Sequence, residues 1–199
     1  MVATRPDTRT RIREAAAVLF RRHGYSATGL KRIAAQSDAP FGSIYHFFPG
    51  GKEQLAEDAI RTSGPQYMQM VLALLDSVPD PLESLANAFR VAADGLAATD
   101  YADACPIATV ALEVASSNEA LRAAAADVFD EWITAGTEWF SRWVPDKEVA
   151  RSLAYSMIMI LEGAFVLSRA ARDPKPMHVA GRSMVELAGA AIHPVPPGA

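Results

Sequence analysis

Between Gly42 and Lys52 the chain sets small, hydrogen-bonding and cationic residues in close order: Gly42, Ser43, Tyr45 and His46, the aromatic pair Phe47-Phe48, and Lys52 after Pro49-Gly50-Gly51. Gly42 and Ser43 keep a surface low enough for a backbone to come near another polymer. Tyr45 offers a phenol to a phosphate, and His46 a ring nitrogen to a phosphate or a base edge. Lys31 and Arg32 precede the group, and cations on both sides of it suit a phosphate backbone. The competing reading of Tyr45 is a half-buried core tyrosine. Other chemistry is missing from the sequence. There is no Gly-rich phosphate loop, HExxH, nucleophile elbow or Cys/His pair, and His178 and His193 have no metal-ligand spacing. His23 stands where a histidine caps a helix dipole. These residues imply no enzyme, no cofactor and no metal.

Elements able to position such a surface follow from the apolar periodicity. Ile12, Ala15, Ala16, Leu19 and Phe20 recur at helical spacing from Asp7 to about Arg22, and His23-Gly24 stops that helix. Thr28 is placed to cap a short helix over 29–36, with Leu30, Ile33 and Ala34 inward. The run Gln36-Ser37-Asp38-Ala39-Pro40 breaks it, and Pro40 opens a third helix to about His46, anchored by Ile44 and Phe48. Two short helices thus flank a tight turn, which is the form of a helix-turn-helix. A long fourth helix from Lys52 to about Leu75 meets a possible kink at Gly64-Pro65. Breakers then delimit helices near 82–98, 106–115, 118–143, 146–172 and 177–192, before a frayed tail, 193–199.

Composition agrees with an all-α fold of about nine helices, since half the residues are hydrophobic and alanine is abundant. Charge is divided: residues 1–52 carry nine Lys/Arg against three Asp/Glu, and residues 53–199 carry ten against twenty. A basic head that meets a polyanion and an acidic body that does not is the expected arrangement. The expected domains are a helix-turn-helix head, 1–51, that binds DNA and a helical body, 52–192. One cysteine, Cys105, excludes an internal disulfide. The N-terminal apolar stretch is too short and arginine-interrupted for a signal peptide, and no later stretch spans a membrane without a charge or a breaker. A cytoplasmic protein is the expectation.

The stretch Gly24 to Leu55, GYSATGLKRIAAQSDAPFGSIYHFFPGGKEQL, resembles the TetR-family signature in order and spacing. That resemblance implies a DNA-reading head whose dimers bind palindromic operators. It puts Thr28, Lys31, Pro40, Phe41, Gly42, Ser43, Tyr45, His46 and Lys52 at positions that contact DNA or lie beside it. Two departures stand out. Ser37-Asp38 replaces the usual Ala-Gly of the turn, where Asp38 tolerates a left-handed backbone. Phe47 replaces a common His or Tyr and removes a phosphate hydrogen bond. Cys105-Pro106-Ile107-Ala108 and Ala111-Leu112-Glu113 are similar to the LmrA/YxaF-like subgroup, which implies efflux or detoxification targets and a hydrophobic, polyphenol-like inducer.

In the C-terminal half Met68, Phe89, Trp132, Trp139, Phe140, Met157 and Phe165 recur at helical spacing. They are ordinary core or, by the family resemblance, in part the lining of an apolar cavity. The subgroup resemblance puts Cys105 near that cavity. Its acidic neighbours Asp100, Asp103 and Glu113 would raise a thiol pKa, which disfavours redox sensing and leaves a structural or pocket-lining cysteine. The last two helices mix large residues (Leu153, Met157, Ile160, Leu161, Phe165, Met184, Leu187) with small ones (Ala154, Gly163, Ala164, Gly181, Ser183, Gly189). They are read as a four-helix dimer interface, or else as a pair packed on its own chain. A ligand that pushes the fourth helix would then shift the dimer away from its DNA-competent form. Activation instead of repression, and a helical small-molecule carrier, remain the alternatives.

Overall fold

Helix ends in this chain fall where side chains or unusual backbone can take up the orphan N–H and C=O groups of a helix. The computed structural model describes residues 6–193, so the tail expected beyond His193 lies outside the described residues. Among them the elements are α1 (Thr8–His23), α2 (Leu30–Gln36), α3 (Phe41–Phe47), α4 (Gly51–Leu75), α5 (Pro81–Ala98), α6 (Ala108–Val114), α7 (Glu119–Phe140), α8 (Lys147–Ala171) and α9 (Lys175–Ile192), with no strand. Asp7 caps α1 by accepting from the Thr10 N–H at 3.0 Å, a bond worth about 1 kcal/mol. Gly24 ends α1 at φ +81°. Asn118 caps α7 through the Leu121 N–H, and Asp146 caps α8.

Packing divides the chain into two compact units: residues up to Pro65 with Cys105–Val128, and Gln66–Ala104 with Phe129 onward. The division therefore falls inside α4 and not at the expected 51/52 boundary. The reason is the first half of α4, whose Leu55, Ala56, Ala59 and Ile60 are buried. At Gly64 a Cβ would stand 2.5 Å from the Val128 side chain, so only glycine admits that approach. Helix α4 runs on through Gly64-Pro65 as one helix, with Pro65 inside it.

The first unit holds α1 to α3 around Ile12, Leu19, Phe20, Ile33, Ile44 and Phe48, all essentially without solvent contact. Here α6 packs against α1. The second unit has its own core, in which Leu75, Leu85, Phe89, Trp139, Phe140, Phe165 and Met184 are buried together. Helix α9 packs on α5 and α8. Gly181 permits that closeness, because a Cβ there would meet Phe89 Cβ at 2.8 Å. Leu153, Met157, Phe165 and Met184, expected at a dimer face, instead turn into this core. Large residues with an inward partner bury on their own chain first.

Helix α8 is long and apolar enough to cross a membrane by length and composition, though not without a charge. Its lone acid near the middle, Glu162, does not offset the apolar residues around it. One side of the helix, including Leu153, Met157 and Phe165, is core.

Candidate nucleic-acid interface

The connection from α2 to α3 is built from backbone geometry. Asp38 takes φ +49°, the left-handed value expected where the family commonly has glycine. Arg11 of α1 holds the turn from outside, its Nε donating to the Ser37 carbonyl at 3.1 Å and Nη2 to that of Asp38 at 3.2 Å. The sequence reading missed this clamp, for nothing in the spacing of Arg11 announces it. Ile44 and Phe48 fasten α3 inward, both at 0% exposure.

With its anchors inward, α3 turns Phe41, Gly42, Tyr45 and His46 to solvent. Tyr45 is 50% exposed and stacks edge-on with Phe41 at 5.8 Å, which decides against a core tyrosine. Gly42 has open space where a Cβ would be, so the low surface is real. Ser43 is half-buried beside them, and Pro40 is the N-cap of α3 without a side-chain bond. The His46 ring meets that of Phe47 edge-on at 4.7 Å, and His46 is exposed. Lys31 and Arg32 lie exposed on α2, where Arg32 Nη2 meets His23 Nε2 at 2.8 Å.

Two expected contact residues stand differently. Thr28 is fully buried, and its hydroxyl donates to the Gly24 carbonyl at 2.7 Å and faces that of Leu19 at 3.3 Å. It holds the loop and offers no side chain to a phosphate. Nor does it cap α2, whose N-cap is Gly29 with no side-chain bond. The fixed pull of two nearby carbonyls outweighs a capping position. Lys52 is half-buried, its amine 4.2 Å over the Tyr25 ring and 3.5 Å from the Ser26 carbonyl. Burial lowers its pKa, and the charge of Glu113 partly restores it.

An exposed, hydrogen-bonding α3 surface with two exposed cations on α2 and a clamped turn has the geometry of a helix that enters a major groove. The sequence comparisons decide the family. Residues 12–59 match the model of bacterial regulatory proteins of the tetR family, and residues 81–183 that of the C-terminal domain of LmrA/YxaF-like transcriptional regulators. The chain belongs to the TetR family. The uncharacterized HTH-type transcriptional regulator YxaF of Bacillus subtilis is 32% identical over 180 residues, 88% of this chain and 92% of that one. The HTH-type transcriptional regulator LmrA of the same organism is 30% identical, over 86% and 91%. The fold is that of the regulatory protein TetR from Rhodobacter sphaeroides, with a TM-score of 0.80 over 90% of this chain and 98% of the other at 20% identity. A TetR regulator from Chloroflexus aurantiacus gives 0.72 at 28% identity, over 90% and 92%. This TetR-family protein is thus a DNA-binding transcriptional regulator and its kin are not enzymes.

The second unit of this regulator contains a cavity of about 40 Å³ between α4, α7 and α8. Met68, Trp132 and Met157 line it, with Tyr67, Leu161 and Glu162. The Tyr67 and Trp132 rings lie 5.4 Å apart. Phe89, Trp139, Phe140 and Phe165 belong to the neighbouring core and are not in this wall. Trp139 donates its indole N–H to Asp76 at 3.1 Å. Cys105 is buried in the other unit, where the Ala108 N–H faces its sulfur at 3.4 Å. Residues at equal helical spacing part company here because spacing marks the inward face of a helix, whereas only the neighbouring helices decide whether that face meets atoms or a void. Among the described residues no group of three His, Cys, Asp or Glu is arranged for a metal ion.

Proposed function

We propose that this TetR-family regulator is a homodimeric repressor that binds a palindromic operator and leaves it when a hydrophobic small molecule enters the second unit. The observation that carries the reading is the exposed set Phe41, Gly42, Tyr45 and His46 on an α3 whose other side is fully anchored. Lys31 and Arg32 add phosphate contacts, and Lys52 can swing from Tyr25 to reach another. A protein whose target is operator DNA works in the cytoplasm.

Dimerisation is supported by apolar side chains left at the surface of the last two helices. Tyr155, Met159, Val166 and Leu167 on α8, with Val179 and Leu187 on α9, are each 40% exposed or more. Exposed Gly163 and Ser183 lie among them and would let a second copy approach closely. This surface shares Leu187, Gly163 and Ser183 with the face read from the sequence, and it suits a twofold contact in which each helix pair covers its equal. Two heads then read two half-sites one turn of DNA apart.

Effector binding is supported by the cavity. Its volume holds on the order of three waters, so a larger effector must part α4, α7 and α8. A ligand that favours the parted form lowers operator affinity by its differential affinity for the two forms. The test is fluorescence anisotropy on duplexes tiled across the chain's own upstream region, over a salt series. Tight, sequence-selective binding that weakens with salt, is lost in Tyr45→Ala and is reversed by an apolar effector supports the reading. Binding indifferent to sequence overturns it in favour of a helical carrier.

A further inference from the structure

We propose that Glu113, near the end of α6, is a positioning residue for DNA recognition: its carboxylate clips the turn between α1 and α2 and so sets the pose of the reading head. This rests on the DNA-binding reading of that head. Both oxygens are used. Oε1 accepts from the Tyr25 N–H at 3.0 Å and Oε2 from the Ser26 N–H at 2.9 Å. Successive backbone N–H groups after a residue of positive φ form a concavity suited to an anion, and here the chain fills it with its own carboxylate.

Gly24 is part of the same device. At φ +81°, a Cβ on it would stand 1.8 Å from Glu113 Oε1, so the carboxylate occupies the space that only glycine leaves. Lys52, over the Tyr25 ring, is electrostatically coupled to the same carboxylate. Thr28 anchors the far end of the loop through the Gly24 and Leu19 carbonyls. With the Glu113 clip in place the segment from Gly24 to Thr28 is held at both ends, and Leu30 begins α2 directly after it. Without it the N–H groups of Tyr25 and Ser26 turn to water and α2 loses its fixed entry. Glu113 reaches no base or phosphate in this role; it acts through the turn.

The sign of the effect tells this role from a surface charge. Removing an acid near a phosphate-binding face should by itself tighten DNA binding. A clip predicts the reverse. Glu113→Ala and the isosteric Glu113→Gln, made in the full chain, are to be compared with wild type by amide hydrogen exchange and by anisotropy on the tiled upstream duplexes. Expected are exchange about tenfold faster at Tyr25 and Ser26 and operator affinity about tenfold weaker in the alanine variant, with a smaller loss in the glutamine one, which keeps one acceptor. The salt slope stays unchanged because no phosphate contact is lost. Equal or tighter DNA binding in both variants, or unchanged exchange at the two amides, overturns the proposal. If wild type binds no duplex, the DNA-binding reading fails by itself, and the exchange data still decide whether the clip exists. Should the alanine variant lose its helical signal, the glutamine variant carries the comparison.

Discussion

The two units of this regulator are held in different ways. In the first, the turns around the reading helix are fastened one by one through named polar bonds: Arg11 on the Ser37 and Asp38 carbonyls, Thr28 on Gly24, Glu113 on Tyr25 and Ser26. Arg9 adds an ion pair to Asp58 at 2.9 Å. In the second, large side chains such as Phe89, Trp139 and Phe165 pack into a shared apolar core, with a small void between three helices. Directional bonds keep a surface in one pose to within a fraction of an ångström, as reading bases requires. Apolar packing is non-directional and tolerates rearrangement about a void, as admitting the proposed ligand requires. A protein that must both read and respond can assign the two tasks to the two kinds of cohesion.

The largest effect should come from emptying the apolar core. Phe89→Ala should cost about 3–5 kcal/mol and lower the thermal midpoint sharply, since Phe89 is 2% exposed and packs against Gly181. A drop of under 1 kcal/mol in denaturant unfolding would show that this core is not close-packed. Tyr45→Ala should leave stability within about 0.5 kcal/mol while weakening operator binding by about tenfold or more, because its ring is half in solvent. A lowered thermal midpoint with unchanged DNA binding would return Tyr45 to the core reading. Arg11→Ala lies between the two kinds of effect. Loss of its bonds to the Ser37 and Asp38 carbonyls should cost about 1–2 kcal/mol in stability and also weaken DNA binding, with the salt slope unchanged. For the proposed dimer, Val166→Glu should leave the monomer folded and shift the sedimentation profile from dimer to monomer, Val166 being 56% exposed; an unchanged profile would remove α8 from the interface.

The smallest effect concerns acid. Hydrogen bonding from Arg142, helped by the Trp139 N–H, holds the Asp76 carboxyl below its usual 3.8. A carboxyl depressed in the folded state stabilises the fold above its unfolded pKa, and that contribution fades as pH falls through the lowered value. Unfolding followed below about pH 4 should therefore lose part of its pH slope in Asp76→Asn. An identical slope in the variant would mean that Asp76 is free of Arg142 in solution.

Much of the fold was legible because breakers and caps act locally. Gly24, Asn118 and Asp146 end or begin helices as their types require, and Asp38 adopts the left-handed turn expected of it. The outward α3 surface was legible for the same reason: once Ile44 and Phe48 are inward, the 3.6-residue period turns Tyr45 outward. Thr28 was misread because its motif position says nothing of the two carbonyls that claim its hydroxyl. Of the apolar residues read as a dimer face on α8 and α9, Leu187 is exposed whereas Leu153, Met157, Phe165 and Met184 are core, because periodicity selects a face without saying what covers it. Met157 turned inward and Met159 outward on one helix.

By itself, then, the sequence determined the helical class, the approximate helix limits, the turn and which residues of α3 face outward, since these depend on residues within one or two turns of each other. Only the tertiary structure decided that the head's packing unit extends to Pro65 and includes α6, that Arg11 and Glu113 clamp its turns, and which apolar residues meet a void and which meet core. Those outcomes join residues as far apart as Tyr25 and Glu113, and a bond across such a separation forms only when the packing of other helices brings its ends together.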